Sequence, residues 1–551
     1  MDMDYAQDVT RDRAPGDLGA RMETDFTRLI TSNRVPTAEE RVSIQTRLEF
    51  LQGRLQSLSA DLPAASTTVS AQPRAVQESM EALRSVISVT RRLPDDILCE
   101  IFRATVPPDP HMSTKEAPLL LGRICSGWRR LAYMTTPDLW KNVHVVVPDK
   151  AHLNRLCDAV DDWLSRSGAL GLCVSLAVSD ACEPDSDNIA TVIDVLTRFS
   201  TRWRRVKLTL SPHTTLTPLT NLRPQDVPRL ESISLTSIGV GTWRNSDAPL
   251  DVPWRKLPFL RTYALRKVSL VNLGGKFLTL PVIWPLLSSL TLLGGGLKDS
   301  TIYQFTMQSA LLLLRECTRL VQLKLCVTSD QQVVAMPEAD ESSKNHLSTL
   351  VTMPLLTHLS VENREYALPN ALHFFRSLVL PSLRSFAYEG PKYEYEYSTS
   401  AHRAILPFSP LLGQSALERL TMDIPGVTRA AFIHCMELVP KLKALRIEPG
   451  PGYDPWSPVG IATLQPTMSA EDLVQLLTTS NHLLANLRSL EIHRTSQLTD
   501  QAILDLLLSH GRSLRRLDVS LTRAREFDIL PLVDHLVARG LDLRLRYLQS
   551  K

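Results

Sequence analysis

The chain has 551 residues, of which 44% are hydrophobic and 22% are charged, a balance typical of globular proteins. Its 61 Lys and Arg residues against 58 Asp and Glu give a formal net charge of +3, which does not indicate binding to nucleic acid or to an anionic membrane surface. No apolar run reaches the ~18 residues of a membrane span, and the acidic N-terminus lacks the apolar core of a secretory signal.

The eight cysteines form no CxxC pair, and most of them lie in apolar stretches of the sequence. Cysteines in such positions usually behave as small buried hydrophobic residues. We therefore predict a cytoplasmic or nuclear protein in a reducing compartment, with no disulfide framework, no metal site and no cofactor.

The N-terminal part of the sequence contains two helical stripes. Residues 1–37 carry few apolar anchors and are predicted to be disordered. Within 38–90, apolar residues recur at steps of three and four before and after a segment with prolines and small polar residues, 60–74. The stripes are Leu48, Leu51, Leu55 and Leu58, then Val76, Met80, Leu83 and Ile87. They favour a helical hairpin and leave a short coiled coil between chains as the alternative.

Residues 91–142 predict a small all-helical module. Leu93-Pro94 precedes a first helix, where proline loses no needed N–H, and Asp95 and Asp96 suit the positive end of its dipole. A proline-containing loop separates this helix from a second one that ends near Leu131. The module is too small to bury all of its large apolar side chains, so we expect some of them to be buried against a partner.

The order and spacing of these apolar positions resemble an F-box. The matching residues run from Leu93-Pro94 through Ile97-Leu98, Ile101-Phe102, Ile124-Cys125, Trp128-Arg129 and Leu131 to Leu139-Trp140. Together with the preceding helices and the WLSRSG stretch at 163–168, the segment 38–215 resembles F-box-like proteins expanded in basidiomycete fungi.

The resemblance implies docking on an SKP-type linker subunit, which joins the chain to a cullin and a RING protein. The residues expected to form the docking surface are Leu93, Pro94, Ile97, Leu98, Ile101, Phe102, Leu119, Leu120, Ile124, Trp128, Leu131 and Trp140.

A connecting helix and a first strand are predicted in 143–200, and a repeat follows in 201–551. The repeat consists of an apolar residue, two variable residues, an apolar residue, one variable residue and an apolar residue. Copies begin at Trp203, Leu230, Leu260, Leu287, Leu320, Leu356, Leu383, Leu417, Leu442, Leu487 and Leu514, and Leu541–Leu548 is expected to form a last capping strand.

The distance between successive copies identifies the class of repeat. It returns to 27 residues four times, whereas a leucine-rich repeat has ~20–29 residues with one strand each. Each repeat alone cannot bury its apolar face, so neighbours stack into one core. We therefore predict an α/β protein: an N-terminal helical segment and a small all-α F-box, followed by a curved leucine-rich-repeat solenoid with one strand plus a helix or irregular segment per repeat.

The variable positions between the apolar strand residues are the candidates for substrate binding. Alternation along a strand places them on the concave face of the predicted solenoid. Among them we single out Lys207, Lys324, Arg446 and Glu491. Trp456 lies in a Pro/Gly-rich insertion between two copies, which we interpret as a surface insertion, with a binding loop as the alternative.

No nucleotide-binding, metalloprotease or nucleophile-elbow motif is present, so we predict a chain that is not an enzyme. The expected function is that of the substrate-recognition adaptor of an SCF-type (cullin-RING) ubiquitin ligase, with an unknown protein substrate on the repeats and neither nucleic acid nor membrane as a partner. The alternative is an interaction scaffold outside any ligase.

Overall fold

The structure is a computed structural model that describes residues 27–32, 34–60, 71–147, 152–178, 186–210, 214, 216–237, 253–272, 279–294, 305–328, 350–364, 368–390, 406–423, 427–448, 469–479, 485–495, 498–510 and 513–548. The chain divides into two compact units. The N-terminal unit comprises 1–144 with 162–170, and the sheet unit comprises 145–161 with 171–551.

Two helices begin the N-terminal unit, α1 (Ala38–Ala60) and α2 (Ala71–Ile87). The predicted stripes meet in one apolar cluster that includes Leu48, Leu51, Met80 and Leu83, so the two helices pack on each other as the hairpin alternative requires. The expected disorder of 1–37 is wrong for its last part, because residues 27–31 form a helical turn. The side chain of Leu29 in this turn is buried in the same cluster.

A helical module follows in the same unit, which we define as residues 93–140. It contains α3 (Asp95–Thr105), α4 (Leu121–Ile124), α5 (Ser126–Arg130), a π-helical turn Leu131–Thr135 and a 3₁₀ turn Pro137–Trp140. Trp140 is fully buried, and its indole N–H donates to the carbonyl of Ala132 at 2.8 Å. Its ring meets those of Tyr133 and Trp163, with both centroid distances 4.9 Å, so aromatic packing closes the core of the module.

The remaining helices alternate with strands along the chain. They are α6 (Leu153–Arg166), α7 (Ser186–Thr197), α8 (Thr217–Thr220), α9 (Met307–Glu316), α10 (Leu368–Arg376), α11 (Ser409–Leu412), α12 (Arg429–Glu437), α13 (Ala470–Thr479), α14 (Asp500–His510) and α15 (Leu530–Val537). Their inward faces are apolar, as in α9, where Ala310, Leu313 and Leu314 are buried. Where no helix forms, short 3₁₀ turns such as Pro258–Arg261 join the strands.

The strands are β1 (Asn142–Val147), β2 (Leu172–Val178), β3 (Trp203–Leu210), β4 (Ser232–Ser237), β5 (Lys267–Val271), β6 (Ser289–Leu293), β7 (Gln322–Val327), β8 (Val351–Thr352), β9 (His358–Asn363), β10 (Leu378–Val379), β11 (Ser385–Glu389), β12 (Arg419–Asp423), β13 (Ala444–Glu448), β14 (Ser489–Thr495), β15 (Arg516–Leu521) and β16 (Asp542–Tyr547). Among the described residues, 14 of these form one sheet in chain order, and β8 pairs separately with β10.

The strands of the main sheet from β2 to β16 pair in parallel, and each strand lies beside that of the next copy of the repeat. Apart from the copy that begins at Leu260, the second and third apolar residues of the copies are buried and flank a residue of the opposite face, as Leu323 and Leu325 flank Lys324 in β7. This arrangement confirms a parallel, solenoid-like repeat array. The sheet also includes β1 and β2, so the array begins before the predicted start at residue 201.

One predicted strand has the wrong position. The copy beginning at Leu260 was expected to place Tyr263 inside, but Tyr263 is 77% exposed. The strand lies five residues later, where Val268 and Leu270 pair with Ile233 and Leu235 of β4. Pro258 begins a 3₁₀ turn that buries Leu260 in the connecting segment, so Leu265 is the first apolar residue of the true copy.

The cysteines among the described residues are free thiols. Burial raises the pKa of Cys317 to about 12, so this side chain stays a neutral thiol that packs like a small hydrophobic residue. Within the part of the chain that the structure describes, no helix is both long and apolar enough to cross a membrane.

A buried carboxylate joins the last elements of the sheet unit. Asp500, at the start of α14, is fully buried and accepts hydrogen bonds from the guanidinium of Arg523 at 2.7 Å and the hydroxyl of Tyr547 at 3.0 Å. The backbone N–H groups of Glu526 and Phe527 also donate to it, at 2.8 and 3.2 Å. Burial opposes the charge, but these donors outweigh it and hold the pKa of Asp500 below its ordinary value.

We expect Asp500→Asn to destabilise the sheet unit by about 3 kcal/mol at pH 7, because it removes the buried carboxylate from Arg523 and leaves only the half-exposed Glu526, at 3.5 Å, as a counter-charge. A lowered folded-state pKa stabilises the protein above the unfolded pKa of ~4 and ceases to do so as pH falls through the folded value. Urea unfolding of the two proteins should therefore differ at pH 7, and the difference should shrink once the pH falls below about 4. Asp505→Asn, at an exposed position of the same helix, is the control and should change little. An equal loss in both variants would contradict the assigned role.

Candidate functional site

Helix α3 is apolar on two faces. Leu98, Cys99 and Phe102 point into the module and are buried. Ile97 and Ile101, one helical turn apart, are 44% and 39% exposed. A large part of each isoleucine side chain therefore faces solvent, and this apolar surface is available to a partner.

A second exposed pair lies at α4. Leu120 and Ile124 are again four residues apart and are 41% and 54% exposed, whereas Leu121 between them is buried. Pro94, directly before α3, is exposed as well. These residues with the α3 pair are called the exposed apolar set below: Pro94, Ile97, Ile101, Leu120 and Ile124.

Four residues predicted to dock a partner are instead part of the core. The buried side chains are Leu98, Phe102, Leu131 and Trp140. These four side chains pack inside the module, and their assignment to direct contact with a partner remains a prediction. Leu93, Leu119 and Trp128 are half-buried, and the ring of Trp128 packs on Phe102 with a centroid distance of 4.9 Å.

Ion pairs hold the elements that carry the exposed apolar set. Arg103 of α3 reaches Glu100 at 2.6 Å and Asp138 of the last turn at 3.1 Å. Arg129 donates to the carbonyl of Gly122 at 2.7 Å, which ties α5 to α4. The module therefore fixes its backbone without using the exposed isoleucines, and exposed ion pairs of this kind contribute little beyond geometry.

The sheet unit presents a second candidate surface. The residues that alternate with the buried strand positions lie on one side of the sheet, and we call this side the open face. Register places one residue per strand in its central row: Ser175, Lys207, Ser234, Ser269, Thr291, Lys324, Ser360, Ala387, Thr421, Arg446, Glu491, Asp518 and Arg544.

Charges on the C-terminal part of the open face pair with one another. Glu491 lies 3.5 Å from Arg446 and 3.3 Å from Arg516. Asp518, with its side chain 3% exposed, lies 3.3 Å from Arg516 and 2.5 Å from Arg546. Burial opposes ionisation of Asp518, but the two arginines hold its pKa below the ordinary range.

The structure brings four of the predicted substrate-binding residues into the central row. Lys207 and Lys324 are exposed there, whereas Arg446 and Glu491 already pair with each other. Trp456 lies outside the described residues. The assignment of these five residues to substrate binding remains a prediction.

Lys267 was missed in the sequence. It stands on the open face of β5, beside Ser289 of β6, and it is exposed. The predicted copy beginning at Leu260 ended at Leu265, so Lys267 fell outside the predicted strand. Leu265, Val268 and Leu270 have the same spacing and could have identified the true strand.

The fold belongs to the class of α/β repeat proteins with one strand per repeat and a continuous parallel sheet. No family model matches the sequence, and no curated protein matches it. Among solved structures, the chain is similar to one in the complex of Rad7 and Elc1 from yeast. The identity is 16% and the TM-score 0.32, with 88% of this chain and 96% of that chain covered. A similarity at that TM-score carries no functional conclusion.

We expect Gly122→Ala to disturb the helical module, because an added Cβ would collide with the ring of Tyr133. That ring is held against Trp140 and under Arg166, so its displacement should cost roughly 1–3 kcal/mol. Amide hydrogen exchange in α3 reports the loss. Gly53→Ala in α1, where nothing lies within 4 Å of the new Cβ, is the matched control and should be neutral or stabilising. Unchanged exchange in Gly122→Ala would show that Tyr133 yields freely.

Proposed function

We propose that this chain is the substrate-recognition adaptor of an SCF-type (cullin-RING) ubiquitin ligase and is not itself an enzyme. The helical module acts as an F-box that docks an SKP-type linker subunit, and through it the cullin and the RING protein. The open face of the sheet holds a protein substrate. Ubiquitin transfer then follows from proximity, with the reactive groups supplied by other subunits. Such an adaptor works in the cytoplasm or the nucleus.

One observation carries the proposal: the exposed apolar set belongs to a module whose core is already complete. Trp140, Phe102 and Leu131 fill that core, so the exposed isoleucines are not needed for folding. Large apolar side chains that stay in solvent at one-turn spacing on helices are typical of helix-mediated protein contacts. The order of apolar residues that resembles an F-box supports the same assignment.

We expect the double substitution Ile97→Ala and Ile101→Ala to weaken binding to a purified SKP-type subunit by more than tenfold, because truncation at the centre of an apolar contact typically costs more than 1 kcal/mol per residue. Both side chains are exposed, so the stability of the module should hardly change. Binding is measured by isothermal titration with the full chain, and circular dichroism checks the fold.

Leu508→Ala is the matched control, since Leu508 is also an exposed apolar helix residue but lies in the sheet unit. Trp128→Ala is less informative, because Trp128 packs on Phe102 and its loss weakens the module itself. Full-strength binding by the double variant would refute the assigned docking face. No binding by the unaltered chain, together with retained capture of another protein, would favour a scaffold outside any ligase.

A further inference from the structure

The open face of the sheet is divided by charge. Each strand of the main sheet from β9 to β16 carries one carboxylate there, namely Glu362, Glu389, Asp423, Glu448, Glu491, Asp518 and Asp542. The open-face positions of β2 to β7 carry none. These strands instead carry four exposed cations: Arg205, Lys207, Lys267 and Lys324.

The two halves of the open face also differ in whether their charged side chains have ion-pair partners. On the C-terminal half, Arg364 holds Glu362 at 2.8 Å and Arg544 holds Asp542 at 3.0 Å. On β3 to β7, by contrast, no ion pair within the described residues engages Arg205, Lys267 or Lys324. Glu231, just before β4, is occupied by Arg204 at 2.9 Å. Uncompensated positive charge is therefore concentrated on β3, β5 and β7.

The spacing of these cations suits an extended chain. Neighbouring strands lie about 4.8 Å apart, so Arg205 and Lys267, which share one row on alternate strands, lie roughly 10 Å apart. Lys324 lies two strands further on and one open-face position along its strand, in the row of Lys207. An extended peptide that crosses the strands rises about 3.3 Å per residue, so side chains three residues apart meet successive cations. Between the cations, Ser234, Ser269 and Thr291 present half-buried hydroxyl groups that can donate to a carboxylate, a phosphate or a backbone carbonyl.

The same strands argue against a nucleic acid as the ligand. The open-face positions of β2 to β7 hold no aromatic residue, whereas proteins that bind single strands stack bases on aromatic side chains. Four cations alone would make a weak and unspecific phosphate track. A short acidic peptide requires only this number of charges.

We propose that the open face of β3 to β7 binds an extended acidic segment of a protein substrate, with carboxylate or phosphate groups about three residues apart. This inference rests on the proposed adaptor function and specifies the chemical class of its substrate. Ion pairing to the cations sets the position of the segment. The hydroxyl groups of Ser234, Ser269 and Thr291 donate to its backbone carbonyls and do not select among its side chains.

The test uses the full chain and three labelled 12-residue probes in fluorescence anisotropy. They have Glu, phosphoserine or Lys at every third position of a Gly/Ser background, and a 12-nucleotide single-stranded DNA is measured in parallel. We expect the acidic probes to bind and the Lys probe not to bind. The double substitution Lys267→Glu and Lys324→Glu should weaken acidic-probe binding about tenfold or more, with binding that also falls as salt rises. Comparison of the two acidic probes distinguishes carboxylate from phosphate recognition.

The control is the double substitution Lys441→Glu and Arg539→Glu, which changes the net charge equally at exposed positions outside the open face. It should leave probe binding within about twofold. Equal weakening by both double variants, or DNA that binds as tightly as the acidic probes, overturns the inference. Binding of the SKP-type subunit is measured with the same variants. Loss of probe binding with intact subunit binding locates the cations in substrate recognition, whereas probe binding without any subunit binding refutes the adaptor function alone.

Discussion

The sheet unit depends on the lateral stacking of buried side chains from one strand to the next. Leu323 of β7 pairs in register with Leu290 of β6 and Leu359 of β9, and all three are buried. A one-residue slip of any strand would turn this apolar row into solvent and bury the polar row in its place. Register is therefore fixed by the hydrophobic effect, and the positions of all open-face residues follow from it.

The sequence predicts this array well because a period of two on a strand is a local signal. The position of a strand is predicted less well where two overlapping segments both fit the apolar pattern of the repeat. Leu260 and Leu265 can each begin a copy, and only pairing with Ile233 and Leu235 of the neighbouring strand selects the second frame. Tertiary contacts with the neighbouring strand decide between the two segments, and the sequence of one segment alone does not contain this information. This choice also determined whether Lys267 was recognised as an open-face residue.

In the helical module, the sequence does not reveal which face of a helix is buried. Ile97 and Leu98 are adjacent and equally apolar, yet one is exposed and the other is buried. The spacing of apolar residues identifies the module, but a helix with apolar residues around most of its circumference does not reveal which face is inside. The packing of Phe102 on Trp128 and the contact of Cys99 with the hydroxyl of Thr136 fix the buried face of α3. The proposed docking surface is what that packing leaves outside.

The segments between strands differ widely in length, whereas the strands themselves stay in register. The interval from Leu442 to Leu487 is 45 residues and that from Leu417 to Leu442 is 25, yet Leu420, Leu445 and Leu490 are aligned. The length of the connecting segment thus has no effect on the alignment of neighbouring strands in the sheet. The open face therefore presents side chains at regular positions from strand to strand. Substitution of a single residue of a polar row can change the chemistry at one position without moving the others.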